Sequence, residues 1–203
     1  MHVTIRRYEG KGGLMDRLAP PVRDGLVPLL KQAPGFRGYC AFASEDGHVV
    51  SVSVFDGRDT ATRATDQVRG WVQSNLRDLL PDPPEVLAGE ALLHKEAEVQ
   101  GGGPGMFAAV RAWEGVGPKD EVLPLVREHV LPAITGATGF RGYYTFLDER
   151  DPGRGVSASL FDSREHAMAA QERVVAAMRD KRIAPNPPTV MAGQTAIVAA
   201  AGG

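Results

Sequence analysis

The chain has 203 residues, 43% of them hydrophobic and 24% charged, a balance typical of a soluble globular protein with room for a sizeable core. Its formal net charge is −2 and no stretch concentrates Lys and Arg, which argues against nucleic acid as a partner, because neutralising phosphates needs a basic footprint. The single cysteine, Cys40, excludes an intrachain disulfide and points to a reducing cytoplasm; with no apolar h-region at the N-terminus and no run of ~18 apolar residues, neither a signal peptide nor a membrane span is expected.

In chain order, residues 2–8 alternate, with Val3, Ile5 and Arg7 on one side and His2, Thr4, Arg6 and Tyr8 on the other, which predicts a strand. Residues 14–33 carry Leu14, Leu18, Val22, Leu26, Leu29 and Leu30 near helical spacing. Pro20, Pro21 and Pro28 must kink or break that helix, since proline lacks a donor and clashes with the preceding turn. Gly35 suits a left-handed helix stop. A hairpin follows, from Gly35-Phe36-Arg37-Gly38-Tyr39 through the turn Ser44-Glu45-Asp46-Gly47 to Ser51-Val52-Ser53-Val54-Phe55-Asp56. A second helix, capped by Asp56 or Asp59, runs to about Leu80. Pro83-Pro84 opens a last strand over residues 85–94, and its mid-strand Gly89 marks a bulge or a close backbone approach.

The same order is then written again. Ile5-Arg6-Arg7-Tyr8-Glu9-Gly10 aligns with Val110-Arg111-Ala112-Trp113-Glu114-Gly115. The hairpin returns as Gly139-Phe140-Arg141-Gly142-Tyr143 and Ser157-Ala158-Ser159-Leu160-Phe161-Asp162, and Pro187-Pro188 again opens a strand, residues 189–199, with Gly193 inside it. Gln100-Gly101-Gly102-Gly103-Pro104-Gly105 has no side chains to pack and reads as a joint. The expected organisation is a first module over residues 1–97, a Gly-rich linker over 98–105 and a second module over 106–203. Each is a β-α-β-β-α-β ferredoxin-like unit of α+β class. One such sheet has helices on a single face, so two tandem copies are expected to pack sheet to sheet as an intramolecular α/β barrel.

This pattern resembles the dimeric α/β-barrel superfamily, in particular its antibiotic-biosynthesis-monooxygenase-like branch, with two copies fused. The residues that carry the resemblance are the two Gly-Phe-Arg-Gly-Tyr stretches, the two alternating strands ending Phe-Asp, and Pro84-Glu85-Val86-Leu87-Ala88-Gly89-Glu90 with its counterpart. The resemblance implies a cofactor-independent monooxygenase acting on a small aromatic, polyketide-type substrate. It also admits a non-catalytic ligand-binding or assembly module, and haem binding or degradation, for which His94 is the ligand to consider. The expected partners are a small hydrophobic or aromatic ligand and no nucleic acid or membrane. The chain is expected to be a monomer as a fused pseudo-dimer, or to dimerise further. Arg outnumbers Lys more than threefold, as in GC-rich bacterial genomes.

For a site, the strands offer one apolar face, Val50, Val52, Val54 and Val156, Ala158, Leu160, and one polar face. The polar face carries Ser53 and Ser159, and neighbouring strands add Arg37, Tyr39, Arg141, Tyr143 and Trp113. Covered on both sides, these groups form either a hydrogen-bonded barrel interior or the lining of a wet ligand cavity. As catalytic residues we take Arg37 or Arg141 to hold an oxyanion and Tyr39 or Tyr143 to relay a proton. Trp71 and Asn75 share a helix face four residues apart; the monooxygenase resemblance implies stacking by the indole and a hydrogen bond from the amide, and core packing with an exposed amide is the plain alternative. Arg141, Tyr143, Trp113, Ser53 and Ser159 complete the substrate-binding set. No metal-ligand spacing, phosphate loop or paired carboxylate appears, so no metal or cofactor is expected, and Cys40 reads as a small core residue.

Overall fold

The computed structural model describes residues 1–96 and 105–201. The first half runs β1 (His2–Tyr8), α1 (Met15–Pro21), α2 (Val27–Gln32), β2 (Phe36–Ala43), β3 (Val49–Phe55), α3 (Arg58–Asn75), β4 (Glu85–Glu90) and β5 (Leu93–Glu96). The second runs β6 (Phe107–Trp113), α4 (Lys119–Leu125), α5 (Leu131–Thr135), β7 (Phe140–Asp148), β8 (Asp151–Phe161), α6 (Arg164–Asp180) and β9 (Thr189–Ala200). The expected α+β order therefore occurs twice. The first half departs only in breaking its last strand at Ala91 and Leu92. The Gly-rich joint lies outside the described residues apart from Gly105.

The prolines act as their chemistry requires. Between α1 and α2, and again between α4 and α5, the helix widens into one π-type turn, Val22–Leu26 and Val126–Val130. Val27 N–H then reaches back to Val22 O, and Leu131 N–H to Val126 O. Each wide turn ends just before a proline, Pro28 or Pro132, whose missing N–H and bulky ring rule out the regular bond at that point. Gly35 and Gly139 close these helices with φ of +75° and +71°, the left-handed stop expected of them.

The strands form one antiparallel sheet in the order β4-β1-β3-β2-β9-β6-β8-β7-β5. Its two ends, β4 and β5, are separated in the chain only by Ala91 and Leu92, so the sheet closes on itself. At that seam Leu92 N–H donates to Thr145 O at 2.8 Å and Glu149 N–H to Ala88 O at 2.9 Å. β9 does within one strand what β4 and β5 do as two. Residues 189–194 pair with β6 and residues 195–200 with β2, across a register shift. Each half thus lends its last strand to the other.

These crossings explain two glycines. A Cβ on Gly89 would lie 2.3 Å from Leu147 O, and one on Gly193 would lie 2.0 Å from Ala43 O. Both contacts are with backbone of the opposite half, which has no rotamer by which to yield. The close approach expected at mid-strand is therefore what joins the two modules.

Three cores result. One lies between the first half's strands and its helices, around Leu18, Leu30, Phe36, Tyr39, Phe55 and Val68. A second occupies the same place in the other half, around Trp113, Ile134, Tyr143, Phe161, Ala170 and Met178. The third is the barrel interior, built from Val3, Ile5, Val50, Val52, Val54, Val110, Val156 and Ala158. The barrel interior is therefore the apolar strand face. This corrects the expectation that the serine face turns inward: Ser53 and Ser159 point under the helices, where bulky aromatics fill the space. Replacing either crossing glycine by alanine is expected to cost about 1–3 kcal/mol through overpacking, read as a lower urea midpoint at unchanged slope.

Candidate functional site

Within the barrel lies a cavity of about 460 Å³. Val52, Val54, Ala108, Val110, Ala158 and Val198 supply apolar wall, and Arg37, Arg141, Tyr144 and Glu96 add polar side chains to it. Small residues recur on the inward positions of both halves, and that is what leaves the space. The spaces between sheet and helices are much smaller, about 50 Å³ in the second half and 40 Å³ in the first. The lumen falls in the range of ~300–1,000 Å³ usual for a small organic ligand.

The repeated Gly-Phe-Arg-Gly-Tyr stretch places the arginines. Phe36 faces Phe55 and Gly38 faces Val54 across the ladder, so Arg37 is an extra residue, a β-bulge. Phe140 opposite Phe161 and Gly142 opposite Leu160 make Arg141 the same. An unbroken strand sets residues 37 and 39 on one face. The extra residue separates them, so Arg37 and Arg141 line the lumen while the rings of Tyr39 and Tyr143 pack beneath the helices. Arg37 Nε–H donates to Asp56. Arg141 Nη2 lies 3.7 Å from Asp162 Oδ2, and the His166 ring nitrogen Nδ1 lies 2.6 Å from Asp162 Oδ1. Asp56, read from sequence as a possible helix cap, and its counterpart Asp162 serve these arginines. The cap of α6 is Ser163, whose hydroxyl accepts from His166 N–H.

At the repeat position equivalent to Cys40 stands Tyr144, which alternation along β7 brings inward to line the lumen as Cys40 does. Its hydroxyl donates to Glu96 Oε1 at 2.5 Å, and its ring stacks on His94 with centroids 6.2 Å apart. Burial and then the Glu96 carboxylate push the Tyr144 phenol well above its ordinary range. Burial also pushes the Cys40 thiol up to about 12. Cys40, Tyr144 and Glu96 were absent from the sequence-derived site. Cys40 and Tyr144 occupy equivalent repeat positions, a difference the alignment displays. Glu96 reaches the site because β5 crosses to pair with β7.

Of the other expected residues, Tyr39 and Ser159 border the lumen, while Trp71, Asn75, Trp113, Ser53 and Tyr143 do not. Trp71 packs on the wide turn of the first half, its ring 2.7 Å from where a Gly25 Cβ would stand. Asn75 is exposed and its amide donates to Trp71 O at 2.8 Å, an interaction within one helix. Trp113 is buried in the second helix-side core. Ser53 accepts from Arg6 Nη1 at 3.1 Å, and Ser159 accepts from Arg111 Nη1 at 2.9 Å. Tyr39 and Tyr143 are buried, and desolvation holds both phenols above their ordinary range, which disfavours proton relay. Among the described residues no three His, Cys, Asp or Glu side chains converge on a point where a metal ion could sit.

Arg6 and Arg111, equivalent in the two halves, are both buried beneath the helices. Arg6 also donates to Thr65 Oγ1 at 2.9 Å, whereas Nε and Nη2 of Arg111 have no partner among the described residues. Burial pulls the Arg111 guanidinium down to about 10, so it stays charged at neutral pH. Replacing Arg111 by methionine removes a poorly compensated charge and is expected to raise stability by about 1–2 kcal/mol, whereas Arg6→Met also loses the bond to Thr65 and gains less; urea unfolding compares the two. For Cys40, a thiol at about 12 is expected to react with iodoacetamide at pH 8 roughly a thousandfold more slowly than free cysteine, as followed by intact mass.

No family profile and no curated protein matches the sequence. Solved structures do. A candidate monooxygenase from Fusobacterium nucleatum superposes with a TM-score of 0.78 at 12% identity, over 100% of this chain and 95% of that one. A candidate monooxygenase from Lactobacillus acidophilus gives 0.68 at 8% identity, over 98% and 95%. An anthrone oxidase-like protein gives 0.63 at 14% identity, over 100% and 94%. No helix among the described residues is long and apolar enough to cross a membrane. The closed nine-strand sheet, the paired helical layers and these full-length superpositions place the chain in the dimeric α+β barrel fold, with both halves of the barrel in one polypeptide.

Proposed function

We propose that the chain takes a small, flat aromatic molecule of polyketide type into the barrel lumen and oxidises it with dioxygen, without a resident cofactor. What carries the reading is the lumen itself, about 460 Å³ with apolar walls and side chains of Arg37, Arg141, Tyr144 and Glu96 in its lining. The likeness to structures described as monooxygenase and anthrone oxidase-like proteins supports the reaction class at the level of fold. The division into modules at residues 97 and 106 belongs to the same reading, as does a monomer in which each half's last strand already pairs with the other half.

The chemistry is set by the lining. Apolar walls take the rings and exclude water, while the Glu96 carboxylate accepts a proton from a methylene flanked by aromatic rings. The electron pair left on carbon spreads to the substrate's carbonyl oxygen, and one of the two arginines stabilises that oxyanion. The carbanion adds dioxygen, and the hydroperoxide so formed loses water to leave a second carbonyl. The balance is CH₂ plus O₂ to C=O plus H₂O, so no reductant enters. Tyr144, already donating to Glu96, passes the proton back.

A second reading, a binding protein without turnover, is favoured by the apolar wall formed by Val52, Val54, Ala108, Val110 and Ala158. An oxygen electrode separates the two. With anthrone as probe, oxygen uptake is expected above the uncatalysed rate, one O₂ per quinone formed. Ala158→Phe, which fills the lumen, is expected to lower kcat/KM at least tenfold, with far-ultraviolet dichroism unchanged. Binding of anthrone without uptake leaves the binding reading standing and removes the oxidase.

A further inference from the structure

The two lumen arginines sit at equivalent places but are not equally engaged. Arg37 is matched to Asp56, which makes no other ion pair among the described residues. Asp162 is divided: His166 holds Oδ1 at 2.6 Å, and Arg141 is left 3.7 Å from Oδ2. The Nε of Arg141 is buried and has no hydrogen-bond partner among the described residues, although the side chain lines the lumen. A buried donor without an acceptor is uncommon and costly, and it is satisfied once a ligand oxygen arrives.

The difference has an identifiable cause. His166 lies three residues beyond the helix cap Ser163; the residue three beyond Gly57 in the first half is Thr60. Thr60 turns its hydroxyl to Gly57, donating to its carbonyl at 2.8 Å, and leaves Asp56 to Arg37. His166 turns to Asp162 instead. The pair is pressed against Gly139, where a Cβ would lie 2.0 Å from Asp162 Oδ1 and 2.5 Å from His166 Nδ1. The bond from His166, ahead of its charge and that of Arg141, holds the Asp162 carboxyl below the usual carboxylate range. A single exchange on one helix thus frees one arginine of the pair.

We infer that Arg141 is the anion-binding residue of the lumen, and that the molecule it admits is a hydrophobic organic anion, its apolar body against Val110 and Ala158 and its one charged oxygen group on Arg141. The inference rests on the lumen being the ligand seat and deepens that reading. His166 is a positioning residue: it keeps Asp162 from neutralising Arg141. Arg37, already neutralised, does not discriminate charge.

The test uses the full chain and two probes of one shape, 2-naphthoate and neutral 2-naphthamide, titrated by calorimetry at pH 7.5. The native chain is expected to bind the anion at least tenfold more tightly than the amide. Arg141→Gln is expected to erase that preference and Arg141→Lys to restore part of it, while Arg37→Gln changes it less than twofold. His166→Ala is expected to weaken naphthoate severalfold and leave naphthamide alone, a split that a merely structural role does not produce. Equal binding of the two probes by the native chain, or equal loss from Arg37→Gln and Arg141→Gln, overturns the assignment while the lumen stands. Binding that survives Ala158→Phe, or no binding of either probe, removes the lumen reading and this inference with it.

Discussion

Everything in this molecule depends on two places where backbone passes against backbone with no side chain between. At Gly89 and Gly193 the last strand of each half leaves its own sheet and joins the other, close enough to a carbonyl of the opposite half that any Cβ collides. Those crossings convert two open four-stranded layers into one closed sheet. Closure covers the edges that β2 and β7 would present to solvent in an isolated ferredoxin-like layer. It also makes the halves interdependent, because β5 has its ladder only with β7, and the end of β9 has its ladder with β2.

Closure creates an inside, and side-chain volume decides whether that inside is filled. Large residues, Phe36, Phe55, Phe161, Tyr39, Tyr143 and Trp113, lie on the helix side and leave little space there. Valine and alanine dominate the inner face, and their short side chains do not meet at the centre. The same interior that holds the halves together therefore has a chamber. The site needs no separate architecture; it is what remains when the sheet closes around small residues.

The two halves have then diverged at a few points on a shared frame. Cys40 stands where the second half has Tyr144, Thr60 where it has His166, and Thr65 where it has Gln171, eight residues beyond each helix cap. The first exchange puts a hydroxyl beside Glu96, and the second unbalances two otherwise matched ion pairs. The third accompanies a buried arginine, Arg111, that keeps fewer partners than Arg6. Such differences are tolerated because each half's framework contacts are made by other residues.

Much of this was legible in the chain. The repeat, the alternation of residues 2–8 and 49–55, the proline-bearing helices and the mid-strand glycines determine the order β-α-β-β-α-β twice and the need for the halves to cover each other. Alternation defines two faces of a strand, yet it does not say which turns inward; that depends on where bulky aromatics and helices find room, and here the serine face went under the helices. Nor does alternation survive a bulge. One extra residue at Arg37 and Arg141 reverses the parity of the strand beyond it, which separated the arginines from Tyr39 and Tyr143 and dispersed the expected site. Trp71 and Asn75 share a helix face as their spacing requires, but that face meets Gly25 and solvent, not the chamber. The amino-acid pattern by itself determined the elements and their order, because these follow from local periodicity and turn chemistry; the ladders of β5 with β7 and of β9 with β2 came only with the fold. Which face became the interior, and which side chains meet Glu96 and Arg141 there, was decided only by closure of the barrel, a non-local constraint that brings residues more than a hundred positions apart into one wall.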